Sequence, residues 1–328
     1  MKVLQTRFYI DIANEGNIIQ DRTSLLVWVL SVLKWKQLGY EVILYTDEIT
    51  KNKFDELNIS KYYDQINLIE PDDSVNIKVF WASAKIFSAK KFIEDNPNEE
   101  FMISDLDFIP LKDPITFVKS DNDLVTFYKE YVQMYNSLDR MDINPDYVMP
   151  DFYTGKVDPI NTCLLYIRES LLDLFSSYLD IELDFMHQHQ EFISGSSSND
   201  LMTFAEQRLF TEYLVANNIE FTYMNPANKS IFNVNGLHTG PYKSIEKTEY
   251  WKWIIWYLKI LKEQFNDAYE DIINLELYSD IKQIITDGEG EYKNKKDDGN
   301  TTKITNFDWN KLEYPRAFED IYDSVWRD

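Results

Sequence analysis

The sequence predicts an α/β protein in which a largely parallel sheet is flanked by helices. Strand-like apolar runs alternate with amphipathic helical patterns over the first 110 or so residues, which is typical of βαβ units. Two of these strands end in acidic residues, and in an open α/β sheet ligands bind just past the carboxyl ends of strands. The chain has 328 residues, enough to bury a substantial core in one or two domains.

The elements of the first part follow in a regular order. They are strand 1–10, helix 24–38, strand 40–47, helix 77–93 and strand 101–111. The first helix has apolar residues at helical spacing, a basic last turn, and Gly39 as its expected C-cap. The second helix ends before the pair Asn96 and Pro97, since proline does not continue a helix.

The middle of the chain stays mixed. We expect strands at 123–128, 159–167 and 219–223, one or two helices over 168–192, and a helix over 201–217. The segment 134–155 is rich in Asp, Asn, Pro and Tyr and predicts a loop over the cleft that orders when ligand binds. A second flexible, polar loop is predicted at 194–200.

The C-terminal part has a different character. Residues 245–277 are strongly helical and crowded with Trp, Ile and Leu, which predicts either packing against the rest of the protein or docking of 250–261 on a membrane or lipid-linked partner. Residues 287–302 are rich in Gly, Lys and Asp and predict a disordered loop. We therefore divide the chain into an α/β domain, 1–245, and a helical extension, 246–328.

Composition limits the partners. The formal charge is −23, from 33 basic and 56 acidic residues, so most of the surface repels nucleic acid and anionic membrane. Aromatic residues make up 15%, which suits a sugar-binding cleft. The single cysteine forbids an intramolecular disulfide. Neither a secretory signal nor an apolar run of membrane-spanning length is present in this sequence, so we expect a soluble, cytoplasmic protein.

The most informative segment is Phe-Met-Ile-Ser-Asp-Leu-Asp-Phe-Ile-Pro-Leu at 101–111, where two carboxylates interrupt an apolar run. Unpaired buried carboxylates cost several kcal/mol, so Asp105 and Asp107 need a partner. A divalent cation, Mg²⁺ or Mn²⁺, suits two oxygen donors at the end of a strand. The alternative is a simple turn that breaks the strand before Pro110.

Six short segments in order resemble one enzyme family. They are Leu-Tyr-Thr-Asp at 44–47, Phe-Trp-Ala-Ser-Ala-Lys at 80–85, Ser-Asp-Leu-Asp at 104–107, Ile-Asn-Thr-Cys at 160–163, Phe-Ala-Glu-Gln at 204–207 and His-Thr-Gly-Pro-Tyr-Lys at 238–243. Together they are similar to the GT-A-fold, Asp-x-Asp glycosyltransferases of the glycogenin-like and bacterial galactosyl- and glucosyltransferase branch. The resemblance implies a Rossmann-like mixed sheet and transfer of a hexose from a nucleotide-sugar.

The resemblance also assigns the candidate metal ligands. It implies that Asp107 binds Mn²⁺ or Mg²⁺ directly, that Asp105 contacts the metal or the donor ribose, and that His238 is the third ligand. The alternative for His238 is a loop histidine without a ligand role.

Other matched residues would bind the nucleotide-sugar donor: Lys85, Asn161, Gly240, Lys243 and Asp47. Lys85 is equally compatible with a solvated helix lysine, and Asp47 with an N-cap for the following helix. Gly240 follows the histidine by two residues rather than the family's three, and Cys163 replaces the family's small residue or glycine after Asn161.

Glu206 and Gln207 match the station that decides the mechanism. In an inverting transferase, Glu206 would be the base that takes the acceptor proton. In the retaining branch, which the pair resembles more, these side chains lie near the anomeric carbon and the leaving phosphate receives the proton. A glutamate near a helix start is also favoured by the helix dipole alone.

The expected partners are a UDP-sugar or other nucleotide-sugar donor and a carbohydrate, lipid-linked or protein acceptor. Two other classes remain open. A metal-dependent nucleotidyl- or phosphotransferase shares the Asp-x-Asp chemistry but usually has a glycine-rich phosphate loop, which this sequence lacks. A catalytically inert sugar- or protein-binding protein could keep the same fold.

Overall fold

The computed structural model describes residues 1–9, 22–70, 72–121, 123–130, 143–190, 198–225, 232–233, 235–238, 250–293 and 301–311. Within these ranges the protein is a mixed α/β structure, with a seven-stranded sheet covered by helices on both faces. The predicted α/β fold class is therefore confirmed. The arrangement is consistent with the GT-A fold that the sequence resemblance implies.

The strands are β1 Lys2–Arg7, β2 Glu41–Thr46, β3 Gln65–Leu68, β4 Phe101–Ser104, β5 Phe108–Pro110, β6 Asp123–Thr126, β7 Leu164–Ile167, β8 Glu220–Tyr223, β9 Phe232–Asn233, β10 Gly236–His238, β11 Gly290–Lys293 and β12 Thr301–Ile304. The helices are α1 Arg22–Gln37, α2 Glu48–Glu56, α3 Ser83–Asp95, α4 Leu172–Gln188, α5 Ser198–Thr203, α6 Phe210–Ala216, α7 Tyr250–Gln264, α8 Asn266–Ile273 and α9 Ser279–Asp287. A π-helical stretch, Phe204–Leu209, joins α5 to α6.

The central sheet has the order β3-β2-β1-β4-β7-β6-β8. Strands β1 to β4 are mutually parallel, β7 runs antiparallel to both β4 and β6, and β8 is parallel to β6. Strands β5, β10 and β9 form a separate three-stranded sheet. The protein thus has a parallel half followed by a mixed half, and the small sheet leaves the central one directly after β4.

Strands β1, β2 and β4 of the parallel half carry buried apolar residues on both faces, as expected for a sheet covered by helices. Alternate residues point to opposite faces. Val3 and Met102 belong to a core with α1 and the C-terminal helices, whereas Leu4 and Ile103 belong to a core with α3, α4 and α6. The two cores hold β4 between them, so the residue that follows Ser104 emerges from a rigid strand.

The C-terminal segment forms three helices rather than one. Helix α7 buries apolar residues against α1, and α8 and α9 extend the same core. Arg22 of α1 also pairs with Asp280 of α9 at 2.9 Å, and the Tyr278 hydroxyl donates to the Arg22 carbonyl at 2.5 Å. Among the described residues, none of the helices combines the length and the apolar character that crossing a membrane requires.

The described ends of the segment 287–302 differ from the predicted disordered loop, whereas residues 294–300 lie outside the described residues. Strands β11 and β12 pair as an antiparallel hairpin, with Gly290 opposite Ile304 and Lys293 opposite Thr301. Tyr292 and Ile304 are buried, so the hairpin gains apolar contacts that the glycine- and lysine-rich composition concealed. The predicted domain boundary near 245 lies outside the described residues and stays a prediction.

Candidate functional site

The acidic segment is a turn between two sheets and not part of one continuous strand. Strand β4 ends at Ser104 in the central sheet, and β5 begins at Phe108 in the small sheet. The Asp105 amide still donates to the Cys163 carbonyl at 2.8 Å, and the Phe108 amide donates to the Asp105 carbonyl at 3.1 Å. The turn that the sequence left open as the alternative is therefore present, and the single strand predicted over 101–111 is two strands, because the backbone turns at the acidic residues to satisfy its hydrogen bonds in two sheets.

Side chains of α1 fix this turn from beneath. Trp35 donates from its indole nitrogen to the Ser104 hydroxyl at 3.1 Å, and the Ser31 hydroxyl donates to the Phe108 carbonyl at 2.5 Å. Gln5 of β1 donates in turn to the Ser31 hydroxyl at 2.7 Å. These polar groups are buried, so their hydrogen bonds hold both ends of the turn in place.

The small sheet brings His238 to the same place. Strand β10 pairs antiparallel with β5, and this register sets His238 opposite Phe108. The approach is close at Gly236, where a Cβ atom would lie 2.9 Å from the Phe108 ring. A glycine is needed there, and sequence reasoning about His238 did not find it because the requirement comes from a ring distant in the chain.

Asp105, Asp107 and His238 converge into one cluster. The potential ligand atoms of the three side chains all lie within 4.8 Å of one another. His238 Nε2 is 3.6 Å from Asp107 Oδ1 and 4.0 Å from Asp105 Oδ2. Two carboxylates and one imidazole suit Mn²⁺ or Mg²⁺, with the nitrogen favouring Mn²⁺. The donor set therefore fits a divalent cation.

Lys85, in the first turn of α3, neutralises the other side of Asp105. Its Nζ is 2.6 Å from Asp105 Oδ1, donates to the Thr162 carbonyl at 3.3 Å and forms an ion pair with Glu206. Burial opposes the ammonium charge, but the two carboxylates outweigh this effect and raise the pKa of Lys85. The alternative of a solvated helix lysine is wrong, because this side chain is only 14% exposed.

Asp105 consequently has two different neighbours. Its Oδ1 is bound by Lys85 and its Oδ2 faces His238. Burial raises the pKa of Asp105, the Lys85 charge lowers it, and the nearby carboxylates Asp107 and Glu206 raise it further. Asp105 can thus contribute one oxygen to a cation while its other oxygen remains with Lys85.

Glu206 and Gln207 lie in the π-helical stretch within the predicted helix 201–217. The structure brings Glu206 to Lys85 and thereby next to the cluster of Asp105, Asp107 and His238. Glu206 and Gln207 are each at least nine-tenths buried. Single-turn π segments within helices occur frequently at functional sites. Their irregular hydrogen bonding is not visible in a sequence pattern of period 3.6, which explains why the sequence predicts a regular helix here.

Two other residues that are predicted to bind the nucleotide-sugar, Asp47 and Asn161, form hydrogen bonds within the protein. Asp47 caps α2 by accepting from the Thr50 amide at 2.6 Å, so its N-cap role is present. Asn161 accepts from the Cys163 amide at 2.9 Å and donates to Tyr128 and Glu130. Gly240 and Lys243 lie outside the described residues, and contacts of all four with a donor stay predictions.

The loop predicted over 134–155 is described from residue 143 onward, and this part contains neither helix nor strand. Its end is tied to α6. The buried Glu212 carboxylate accepts from the Thr154 hydroxyl at 2.8 Å and from the amides of Thr154, Lys156 and Val157 at 3.0–3.2 Å. Arg208 donates to the Gly155 carbonyl at 2.9 Å. Of the second predicted loop, 194–200, residues 194–197 lie outside the described residues, and 198–200 begin α5.

Sequence reasoning missed Glu182 and Tyr128. Glu182 of α4 is buried beside a small cavity that Lys85 and Glu206 also line. Within the part of the chain that the structure describes, its Oε1 has no hydrogen-bond partner, and burial, reinforced by Glu206, raises the pKa of Glu182 well above its usual range. A lone glutamate at an apolar helix position was the available signal.

No protein-family model matches the chain, and no curated protein matches it. Solved structures similar to it include a glycosyltransferase involved in glycosylation of the major capsid of PBCV-1, at 14% identity and a TM-score of 0.30, covering 68% of this chain and 80% of that one. An active-site mutant of LgtC is similar at 9% identity and a TM-score of 0.36, covering 69% of this chain and 73% of that one. The PaToxG glycosyltransferase is similar at 10% identity and a TM-score of 0.33, covering 66% of this chain and 69% of that one. Similarities at this level establish no family, so a function has to be argued from the sequence motifs and the site geometry.

Proposed function

We propose that the protein is a metal-dependent glycosyltransferase that moves a hexose from a UDP-sugar to a carbohydrate, lipid-linked or protein acceptor. The observation that supports this most is the convergence of Asp105, Asp107 and His238, with ligand atoms within 4.8 Å of one another. The cluster follows a parallel strand at its carboxyl end, where ligands bind in open α/β sheets.

The three side chains would hold Mn²⁺ or Mg²⁺ through Asp107, the Oδ2 atom of Asp105 and the Nε2 atom of His238. Such an ion supplies positive charge that stabilises the diphosphate leaving group as the glycosidic bond breaks. The protein has a net charge of −23, so an anionic donor needs a local source of positive charge.

Lys85 connects this cluster to the proposed sugar site. It is bound to Asp105 on one side and to Glu206 on the other, so it fixes the distance between the cation ligands and the π-helical stretch. Fixed charges need no reorganisation during reaction. Lys85 is therefore proposed to position Asp105 and Glu206 and, as the sequence resemblance implies, to lie near the donor phosphates.

Glu206 and Gln207 are proposed to face the transferred sugar, with transfer occurring with retention. The Lys85 ammonium forms an ion pair with Glu206 Oε1, and the Glu206 side chain is only 8% exposed. This favours a role in stabilising positive charge at the anomeric carbon over proton exchange with an acceptor. Asn161, Gly240, Lys243 and Asp47 remain proposed donor contacts on the sequence resemblance alone.

The experiment is a panel of UDP-hexoses incubated with the protein and Mn²⁺, with release of UDP measured by chromatography. We expect slow donor hydrolysis for one sugar and loss of activity in excess chelator. Proton NMR recorded before mutarotation would show the released sugar in the donor's anomeric configuration if the reaction proceeds with retention.

The other classes give different results in the same experiment. A nucleotidyltransferase would release no UDP from these donors and would release inorganic pyrophosphate when supplied instead with UTP and a sugar phosphate, and an inert binding protein would bind a UDP-sugar without turnover. No UDP release from any donor, or full activity in chelator, would contradict the proposal.

A further inference from the structure

A buried polar network lies behind His238. Beyond β6, the chain runs beside the segment that precedes β7. The backbone N–H of Asn161 donates to the Tyr128 carbonyl at 3.0 Å, and the backbone N–H of Glu130 donates to the Pro159 carbonyl at 2.8 Å. A β-bridge between Lys129 and Ile160 lies between these two bonds. The backbone therefore sets the side chains of Tyr128, Glu130 and Asn161 at fixed positions next to one another.

The hydrogen bonds of Asn161 determine which way its amide points. Its Oδ1 accepts from the Cys163 backbone amide at 2.9 Å, and a backbone N–H can only donate. The Nδ2 group must then face the other way, where it donates to Glu130 Oε1 at 2.6 Å and to the Tyr128 hydroxyl at 3.0 Å. Asn161 thus holds the Tyr128 oxygen in place.

The Tyr128 oxygen is also within reach of the candidate metal ligand. It lies 3.3 Å from His238 Nδ1, while Nε2 on the far side of the ring faces Asp107 and Asp105. Tyr128 and His238 are each 8% exposed, and Asn161 and Glu130 are more deeply buried. Rotating the imidazole by half a turn would place a ring carbon against the tyrosine oxygen, so the network favours one ring orientation.

We propose that Tyr128 is a positioning residue that fixes the ring orientation and the neutral tautomer of His238. This inference rests on the proposed function where it concerns the cation. An imidazole that binds a metal through Nε2 carries its proton on Nδ1, and that proton needs an acceptor. The Tyr128 oxygen, held by Asn161, is that acceptor. Asn161 thereby acquires a role behind the metal site that the sequence resemblance did not assign.

The first measurement needs no metal. The chain has three histidines, so ¹⁵N-histidine labelling gives a simple imidazole spectrum, and His238→Ala identifies the His238 signals. We expect the tautomer with its proton on Nδ1 to dominate for His238 in the parent protein. In Tyr128→Phe we expect a mixture of the Nδ1-protonated and Nε2-protonated tautomers. The matched control is Tyr278→Phe, which removes a buried hydroxyl that donates to the Arg22 carbonyl far along the chain. It should leave the His238 signals unchanged.

The second measurement is Mn²⁺ affinity in the presence of UDP, read from the electron paramagnetic resonance signal of free Mn²⁺. Loss of a hydrogen-bond partner behind a metal-binding histidine costs about 10- to 100-fold in metal affinity. We expect Tyr128→Phe to raise the Kd for Mn²⁺ about tenfold and Tyr278→Phe to leave it unchanged. Asn161→Ala should act in the same direction as Tyr128→Phe in both measurements, and it provides the test if Tyr128→Phe does not fold.

The outcomes separate this inference from the proposed function. If Tyr128→Phe keeps the parent's His238 tautomer, the positioning role is wrong whether or not the protein binds Mn²⁺. If the parent does not bind Mn²⁺, the proposed cation site fails, and the metal-free spectrum still decides the role of Tyr128.

Discussion

The two sides of Asp105 differ in where their positive charge comes from. On one side, Lys85 lies between Asp105 and Glu206 and is only 14% exposed, so the chain supplies its own cation. On the other side, Asp105 and Asp107 face the imidazole of His238. An imidazole is a metal ligand when neutral, whereas a lysine ammonium is a fixed charge.

This difference separates a side whose charges are already paired within the protein from a side that is proposed to bind an external cation. Breaking the Lys85 side should affect the free energy of unfolding, because the carboxylates there depend on the lysine. Breaking the His238 side should affect metal binding and turnover, because these side chains gain most from an external cation. Substitutions on the two sides therefore test the comparison with different readouts.

The largest expected effect is on turnover in Asp107→Asn. The variant removes a charged ligand from a site that must also hold a diphosphate, so we expect turnover to fall at least about a thousandfold, roughly 4 kcal/mol, and the donor Kd to rise. Steady-state assays with the active UDP-sugar and Mn²⁺ measure both. Asp121→Asn is the control, because the Asp121 side chain is 96% exposed and pairs with Arg168, away from the cluster of Asp105, Asp107 and His238. Near-parent turnover in Asp107→Asn would remove this aspartate from the catalytic site.

The next effect is on stability in Lys85→Met. This change leaves Asp105 and Glu206 buried without their shared cation, and breaking a buried ion pair from one side costs about 3 kcal/mol or more. Denaturant unfolding measures the loss. Lys90→Met, on the same helix, removes an ion pair with the largely exposed Asp180 and should cost at most about 1 kcal/mol.

A double variant sharpens this result. Adding Glu206→Gln to Lys85→Met removes one of the two stranded charges, so part of the lost stability should return. If Lys85→Met and Lys90→Met destabilise equally, the Lys85 side of Asp105 is no more structural than an ordinary surface pair, and the comparison fails.

The parallel half of the fold was predictable because its signals are local. Strand β2 and helix α1 each carry their pattern within a short window, and Gly39 ends the helix region with φ +90° as a C-cap glycine does. Helix α3 begins at Ser83, later than the predicted start at residue 77. Before it the chain forms separate turns, in which the backbone amides of Val79 and Phe80 both donate to the Asn76 carbonyl. Local patterns identify an element more reliably than its first residue.

The candidate site was predictable in part of its membership and not in its connections. Asp105, Asp107 and His238 could be proposed from spacing and resemblance. The ion pairs of Lys85 join residues 20 and 121 positions apart, and the contact of Tyr128 with His238 spans 110 positions. Such contacts depend on how strands pair across sheets, and no periodicity in the sequence records which partner a lysine or a tyrosine acquires.

The smallest effect concerns Glu182, which lines the cavity beside Lys85, Glu206 and Tyr178. Burial, reinforced by Glu206 and opposed by Lys85, holds the pKa of Glu182 well above its usual range. The folded protein therefore keeps a proton that the unfolded chain releases near pH 4.3. Stability from this group is complete below that pH and declines as pH rises toward the raised pKa.

Glu182→Gln keeps the shape and removes the titration, so it should stabilise the protein by about 1 to 2 kcal/mol at pH 7, with the gain shrinking towards pH 4. Thermal or denaturant unfolding across pH 4–8 measures this difference. Asp184→Asn, an exposed acid on the same helix, should change stability by no more than about 0.5 kcal/mol and show no comparable trend. A gain for Glu182→Gln that is constant with pH would mean that Glu182 does not hold a proton in the folded protein, and that the amide stabilises through packing or a new hydrogen bond instead.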